Sequence, residues 1–477
     1  MAGVQRGGCA GNGAEGCGNG SQLVPWHRLT QLEIIGVMRF FWSALFVCGC
    51  TQLAAQQYYS VPGSDAPELA KRGSLSVGVR TLEIVHHAQP DILKFDKGTG
   101  KAPLTDRTLK LEIWYPATIP AGQEEKTVYT SRIAGSQNLP GSFDFPGKAL
   151  RDAPPVAGQK FPLVVVSHGY PGSRTLMTYL TENLASKGYV VVAIDHTDSV
   201  FGEVRGFEST LLNRSTDQLF TIETLGELSH KADSFLNGLA DATNTAIVGY
   251  SMGGYGALTS AGAGYSRTGQ VGKAIPGGHA EDLMADSPKY QALHRENVRA
   301  IVAIAPWGEQ PPYNAWDERG LSGIRIPSLF ITGDHDDVAV YDTGIKRAFE
   351  RAANSERCML VFQNARHNTG GNPVPAGLTD FRLIQFYDEP VWRKERMTGI
   401  NQHFITAFLD LYLKKDPSRK AYLRQEVVLS NDGKWTGAPN ADASVYSTGK
   451  DAAGNLFWKG FQRRTALGME MYCSDAR

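Results

Sequence analysis

Ala246-Ile247-Val248-Gly249-Tyr250-Ser251-Met252-Gly253-Gly254-Tyr255-Gly256 is the stretch on which the reading of this sequence turns. An apolar run gives way at once to Gly-x-Ser-x-Gly, and Ala257-Leu258-Thr259-Ser260-Ala261 continues as the buried side of a helix. That pattern is a strand, a tight turn and a helix, with a serine at the apex. Gly249 and Gly253 must be small, because a Cβ at either would collide with neighbouring backbone when the serine is strained. The hydroxyl is then held clear of the sheet, at the positive end of a helix. Five residues alone occur often by chance, so the rest of the chain has to supply a base, an acid and an oxyanion site.

Outward from this stretch, Phe161-Pro162-Leu163-Val164-Val165-Val166-Ser167 and Tyr189-Val190-Val191-Val192-Ala193-Ile194-Asp195 are continuous apolar runs. Between them, Leu176 to Lys187 reads as a helix with Gly188 as its cap. Strands without polar alternation, separated by helices, are buried on both faces. The repeat continues through Ala246–Val248, Val298–Ala305 and Ser328–Thr332, and ends with Met359–Phe362. Upstream, Val77–Val85 and Thr108–Tyr115 alternate like antiparallel edge strands. Ala117 to Gln159 is rich in Pro, Gly and polar residues and reads as loop. The fold class is α/β: a mostly parallel central sheet flanked by helices, with antiparallel N-terminal strands, whose ligands bind beyond the carboxyl ends of the strands.

Each strand end then carries a residue of interest. Ser167-His168-Gly169-Tyr170-Pro171-Gly172 follows the first parallel strand, and its glycines let a backbone amide turn inward. The backbone amides of Tyr170 and Met252 are the expected oxyanion donors, and the Tyr170 ring would lie beside the acyl group. Trp307, in Ala305-Pro306-Trp307, reaches the same face as a candidate substrate-binding aromatic, with simple packing as the alternative. Gly333-Asp334-His335-Asp336-Asp337 offers three carboxylates. The Gly-x-x-Asp spacing selects Asp336 as the acid, and leaves Asp334 to cap or brace the turn. His367 follows the strand Cys358–Phe362, so the order is Ser251, Asp336, His367. His168, His196 and His335 read as structural, and no His/Cys/Asp grouping has metal-ligand spacing.

Length and composition describe an ordinary globular protein: 477 residues, 42% hydrophobic and 20% charged, with 48 basic and 48 acidic side chains. That balance gives no reason to expect nucleic acid as a partner. Residues 1–37 are Gly-rich with few core formers, and read as a non-native or disordered extension before a true start at Met38. Residues 38–55, with Arg39 ahead of Phe40-Phe41-Trp42-Ser43-Ala44-Leu45-Phe46-Val47, have the layout of a signal peptide and are too short to span a membrane. Cleavage after Ala55 would release a soluble protein, whereas Val47-Cys48-Gly49-Cys50 loosely matches a lipobox with Cys50 as anchor. Either reading puts the chain in the periplasm or outside a bacterial cell, where Cys358 and Cys473 could pair or stay as two thiols.

The strand-end residues together resemble the α/β-hydrolase superfamily from about Leu75 to Lys415. Within it, Val164–Tyr170, Asn183–Val191, Gly249–Gly254, Ala305-Pro306-Trp307 and Asp334-His335-Asp336 look like bacterial cutinases, polyester hydrolases and dienelactone-hydrolase-like proteins. Ile113-Trp114-Tyr115-Pro116-Ala117 is similar to platelet-activating-factor acetylhydrolases. The resemblance also implies Asp336 as the acid. Dienelactone hydrolases use cysteine where Ser251 stands, so that substrate is not implied.

The expected organisation is a linker over 56–74 and a hydrolase domain over 75–418 with insertions at 262–297 and 370–392. A C-terminal extension over 419–477 is expected to pack on that domain. Asp380 to Tyr387 is apolar and aromatic and reads as a lid or pocket wall, and Met397 to Leu413 as a closing amphipathic helix. The expected function is a secreted, monomeric serine carboxylic-ester hydrolase with no cofactor and no metal, acting through an acyl-enzyme on small to medium acyl or aromatic esters. Phospholipid or platelet-activating-factor-type acyl hydrolysis and polyester hydrolysis are the enzymatic alternatives. A non-catalytic binding protein on the same scaffold is the alternative of another class.

Overall fold

The apolar runs become strands that are covered on both faces. In this computed structural model, which describes residues 58–132, 141–293, 295–436, 442 and 444–477, fourteen strands are found among the described residues. In chain order they are β1 (Val77–Pro90), β2 (Leu104–Pro116), β3 (Thr127–Arg132), β4 (Ser142–Gly147), β5 (Leu150–Arg151), β6 (Phe161–Ser167) and β7 (Val190–Asp195). There follow β8 (Ser199–Val200), β9 (Glu203–Val204), β10 (Ala240–Tyr250), β11 (Val298–Ile304), β12 (Ser328–Gly333), β13 (Arg357–Phe362) and β14 (Met469–Ser474). Ten of them form one sheet in the order β14-β13-β12-β11-β10-β6-β7-β2-β1-β5. The six strands from β13 to β7 are mutually parallel, while β1, β2 and β14 join antiparallel. This is the α/β-hydrolase arrangement.

The two-residue period of a strand sorts each apolar run between two cores. Leu163 and Val165 enter one and Val164 and Val166 the other, and β7 divides in the same way. The first core is covered by the helices Phe207–Leu228 and Met252–Ser260. The second is covered by Thr178–Ser186 and Lys394–Tyr412.

Four expectations need correction. The stretch 117–159, read as loop, holds the β3/β4 hairpin and β5. The sheet does not end at β13, because β14 returns from the C-terminal extension and pairs along it. Its register sets Cys358 opposite Cys473, and the two form a disulfide across a separation of 115 residues. In the chain-entropy view, closing so long a loop stabilises the fold by about 5 kcal/mol. The closing helix, expected to be amphipathic, is buried on nearly every side from Met397 to Asp410. Its outer face is roofed by Phe457, Trp458 and Phe461 of the C-terminal extension, with Trp458 and Phe461 both 5.9 Å from the Phe404 ring. Lastly, the described part of 56–74, read as linker, is docked: Ser60 donates to Glu182 at 2.5 Å and the Leu69 amide to His403 at 3.1 Å. The expected extension 1–37, the signal segment 38–55 and Cys50 lie outside the described residues.

Candidate active site

β10 ends at Tyr250 and the helix Met252–Ser260 begins at once, so Ser251 alone makes the turn. It does so at φ 54° and ψ −112°, a left-handed conformation that an L-residue holds only under constraint. The constraint is close packing. A Cβ on Gly249 would stand 2.0 Å from the Gly253 carbonyl oxygen, and one on Gly253 would stand 1.9 Å from that of Ser167. The Ser251 amide donates to Ile304 O at 2.8 Å and the Trp307 amide to Ser251 O at 3.2 Å, which ties the elbow to the end of β11.

Three side chains from three strand ends meet here. His367 Nε2 lies 3.0 Å from Ser251 Oγ, and its Nδ1 lies 2.8 Å from Asp336 Oδ2. The other Asp336 oxygen accepts the amides of Val338 and Ala339 at 2.9 and 2.8 Å. Asp336 is therefore held by three donors and shielded from water, and Ser251 is 7% exposed. Of the other acids, Asp334 accepts the Asn364 amide at 2.6 Å and so braces the turn, while Asp337 pairs with Arg366 at the surface.

The oxyanion loop is fixed from below by groups whose interplay the sequence does not display. His168 Nδ1 lies 2.7 Å from Gly169 O, and its Nε2 lies 3.3 Å from the His196 amide. An amide can only donate, so Nε2 accepts and the proton sits on Nδ1, donated to Gly169 O. In a trans peptide the N–H opposes the C=O, so this bond turns the Tyr170 amide away from His168. Gly169 itself abuts the serine: a Cβ there would stand 3.3 Å from Ser251 Cβ. Met252 opens its helix, so its amide is among those without an intrahelical acceptor.

Beneath this loop lies a second Ser-His-Asp hydrogen-bond chain. Ser167 Oγ is 2.8 Å from His196 Nε2, and His196 Nδ1 is 2.8 Å from Asp217 Oδ2. All three side chains are sealed in the core, so this chain organises rather than reacts. Arg107 binds Asp217 through two bonds of 2.7 Å and Asp198 at 3.1 Å, and Arg214 donates to His168 O at 2.6 Å and Ser199 Oγ at 2.5 Å. Two arginines face two aspartates, which is how buried charge is tolerated. Burial, and then the Arg214 guanidinium, hold His168 and His196 well below the ordinary imidazole range, so both remain neutral donors and acceptors. His335, by contrast, is exposed.

The His367 loop is gripped from the insertion that follows it. The buried Glu389 carboxylate accepts the Arg366 amide on one oxygen and the Asn368 amide on the other, both at 2.6 Å, while Lys394 donates to Asn368 O. Burial raises the Glu389 carboxyl above its ordinary value and lowers Lys394 to about 8. The segment Asp380 to Tyr387, expected as a lid or wall, precedes these bracing residues, with Leu383 and Tyr387 turned inward and Phe381 and Phe386 outward. Tyr170 and Trp307 do reach the same end of the sheet, but a third ring, Phe207, stands between them.

Chemically, the arrangement presents a hydroxyl within hydrogen-bond reach of an imidazole, and a buried carboxylate on the far side of that imidazole. Two family models match: PET hydrolase-like over residues 145–275, and platelet-activating factor acetylhydrolase, isoform II, over residues 73–209. Cutinase est1 of Thermobifida alba is 23% identical over 205 residues, 43% of this chain and 52% of that protein. The platelet-activating factor acetylhydrolase of Canis lupus familiaris is 31% identical over 105 residues, 22% of this chain and 19% of that one. The chain spans about half the length of the cutinases that it matches. A ferulic acid esterase from Streptomyces cinnamoneus superposes with a TM-score of 0.48 at 20% identity, over 76% of this chain and 94% of that one.

Proposed function

We propose that the chain is a serine esterase of the α/β-hydrolase superfamily and that it hydrolyses carboxylic esters through Ser251, His367 and Asp336. The observation that carries this reading is the continuous hydrogen-bonded line from Ser251 Oγ through the His367 ring to a buried, triply held Asp336. As Ser251 Oγ attacks the ester carbonyl, His367 Nε2 takes its proton, and Asp336 keeps Nδ1 protonated and supports the imidazolium. The carbonyl oxygen, now negative, is received by the amides of Tyr170 and Met252. Collapse expels the alcohol, protonated by His367, and leaves an acyl-serine that water cleaves by the reverse route.

Small to medium acyl esters fit this reading best. The match to a platelet-activating factor acetylhydrolase model over residues 73–209 favours phospholipid acyl esters as the second candidate. The signal-like segment 38–55 supports export with removal of that segment, and an N-terminus mapped at or upstream of Met38 in exported protein would refute the removal. Labelling by a fluorophosphonate probe separates an enzyme from a binding protein on the same scaffold. Ser251→Ala should lose that labelling and lower kcat on p-nitrophenyl butyrate by on the order of 10⁶-fold. Turnover retained in the folded variant refutes the assignment.

A further inference from the structure

The two aromatic walls beside Ser251 are not free to clasp a flat substrate group. Phe207 opens the helix Phe207–Leu228 and projects into the space between them. Its ring centroid is 4.9 Å from that of Tyr170 at 76°, and 5.3 Å from that of Trp307 at 89°. The Tyr170 hydroxyl donates to Arg205 O at 3.2 Å, two residues before Phe207, so the tyrosine is tied to the same segment. Trp307 is further packed by Tyr313 at 4.5 Å and Tyr255 at 6.0 Å, and is only 8% exposed.

Contacting aromatic rings sit with centroids about 4.5 to 7 Å apart, so the two spacings around Phe207 leave no room for another ring in that gap. The gap adjoins the nucleophile. The Trp307 amide bonds Ser251 O at 3.2 Å, and Tyr170 follows Gly169, whose Cβ would touch Ser251. Resting on the ester-hydrolase reading above, we propose that Phe207 is a specificity-determining residue. It fills the cleft between Tyr170 and Trp307, so that short acyl groups react and planar aromatic acyl groups are excluded. Phe207 is half-buried and lies at a helix terminus rather than in the sheet core. Truncating it therefore opens the cleft without dismantling the elbow.

The test compares p-nitrophenyl acetate with p-nitrophenyl benzoate, two esters that share a leaving group, on the full chain and on Phe207→Ala and Phe207→Leu. In Phe207→Ala the benzoate-to-acetate ratio of kcat/KM should rise about tenfold or more, the range expected when a pocket gains room for an apolar group, with acetate itself changed less than about threefold. Phe207→Leu should give a smaller rise, and it carries the test if the alanine variant does not fold. A ratio that stays level or falls, while acetate is still hydrolysed, overturns the proposal. Wild-type protein that cleaves neither ester and takes no fluorophosphonate at Ser251 overturns the underlying ester-hydrolase reading instead, and this proposal with it.

Discussion

Replacing His168 separates the orientation of the oxyanion loop from the rest of its support. His168→Leu deletes the donor to Gly169 O at 2.7 Å and the acceptor for the His196 amide at 3.3 Å. Each buried group left unmade costs about 1 to 3 kcal/mol, so a loss of about 2 to 6 kcal/mol in stability is expected. His168→Asn reaches only the first partner: its side-chain amide hangs on Cγ as Nδ1 does, so it can restore the bond to Gly169 O but not the one to His196. Both variants should therefore melt earlier, and only leucine should release the Gly169–Tyr170 peptide. Losing one oxyanion donor outright costs about 2.7 to 4 kcal/mol in the barrier. A donor merely freed to rotate should lose part of that, or on the order of 10- to 100-fold in kcat. The assay is kcat and KM on p-nitrophenyl butyrate below both melting temperatures. Leucine should lower kcat by that factor with KM little changed, and asparagine should recover most of it. Equal kcat in the two variants would refute the argument that His168 directs the Tyr170 amide.

Two further outcomes are expected. Glu389→Gln keeps the shape of the side chain but sets an amide NH2 against either the Arg366 or the Asn368 amide. It should lower kcat by about tenfold and leave fluorophosphonate labelling slow but present, and kinetics equal to wild type would show that the clamp does not position His367. Lys187, half-buried and bonded to Leu69 O, Asn183 and Thr406, is lowered by desolvation to about 7 from 10.5. The unfolded chain then binds more protons than the folded one between those values, so stability should rise as pH increases through this window. Thermal melts across pH 7 to 10 check the slope, and a Lys187→Met variant with the same slope removes Lys187 as its source.

Much of this architecture was legible because strand runs and strand ends carry local signals. The six parallel strands read as apolar runs, and Ser251, Asp336 and His367 follow from the Gly-x-Ser-x-Gly turn, the Gly-x-x-Asp spacing and a histidine just past the last of those runs. What stayed hidden depends on partners distant in sequence. The helix Phe207–Leu228 has no clean apolar stripe, because its buried side includes Arg214, Asp217, Gln218 and Thr221, whose hydrogen bonds are made with His168, Arg107, Gly253 and the Asp217 carbonyl respectively. The closing helix gave an amphipathic pattern, but its polar side is covered as well, with Asn401 donating to Thr369 O and Gln402 to Tyr179 O. Met469–Ser474 is too short and mixed to announce a strand without β13 beside it. Phe207, Glu389 and the buried role of His196 have no motif at all, because each acts through a neighbour that folding alone brings near.

The pairing of β13 with β14 also sets an order of events during synthesis. The strand that leads into His367 leaves the ribosome with one edge open, and its partner cysteine lies 115 residues further on. At translation rates of about 5 to 20 residues per second, that edge waits roughly 6 to 23 s for its cover. An uncovered parallel edge is a template for pairing with other chains. The base-bearing side of the site is thus the last to be sealed, and nascent chains halted before Met469 should be captured by holdase chaperones.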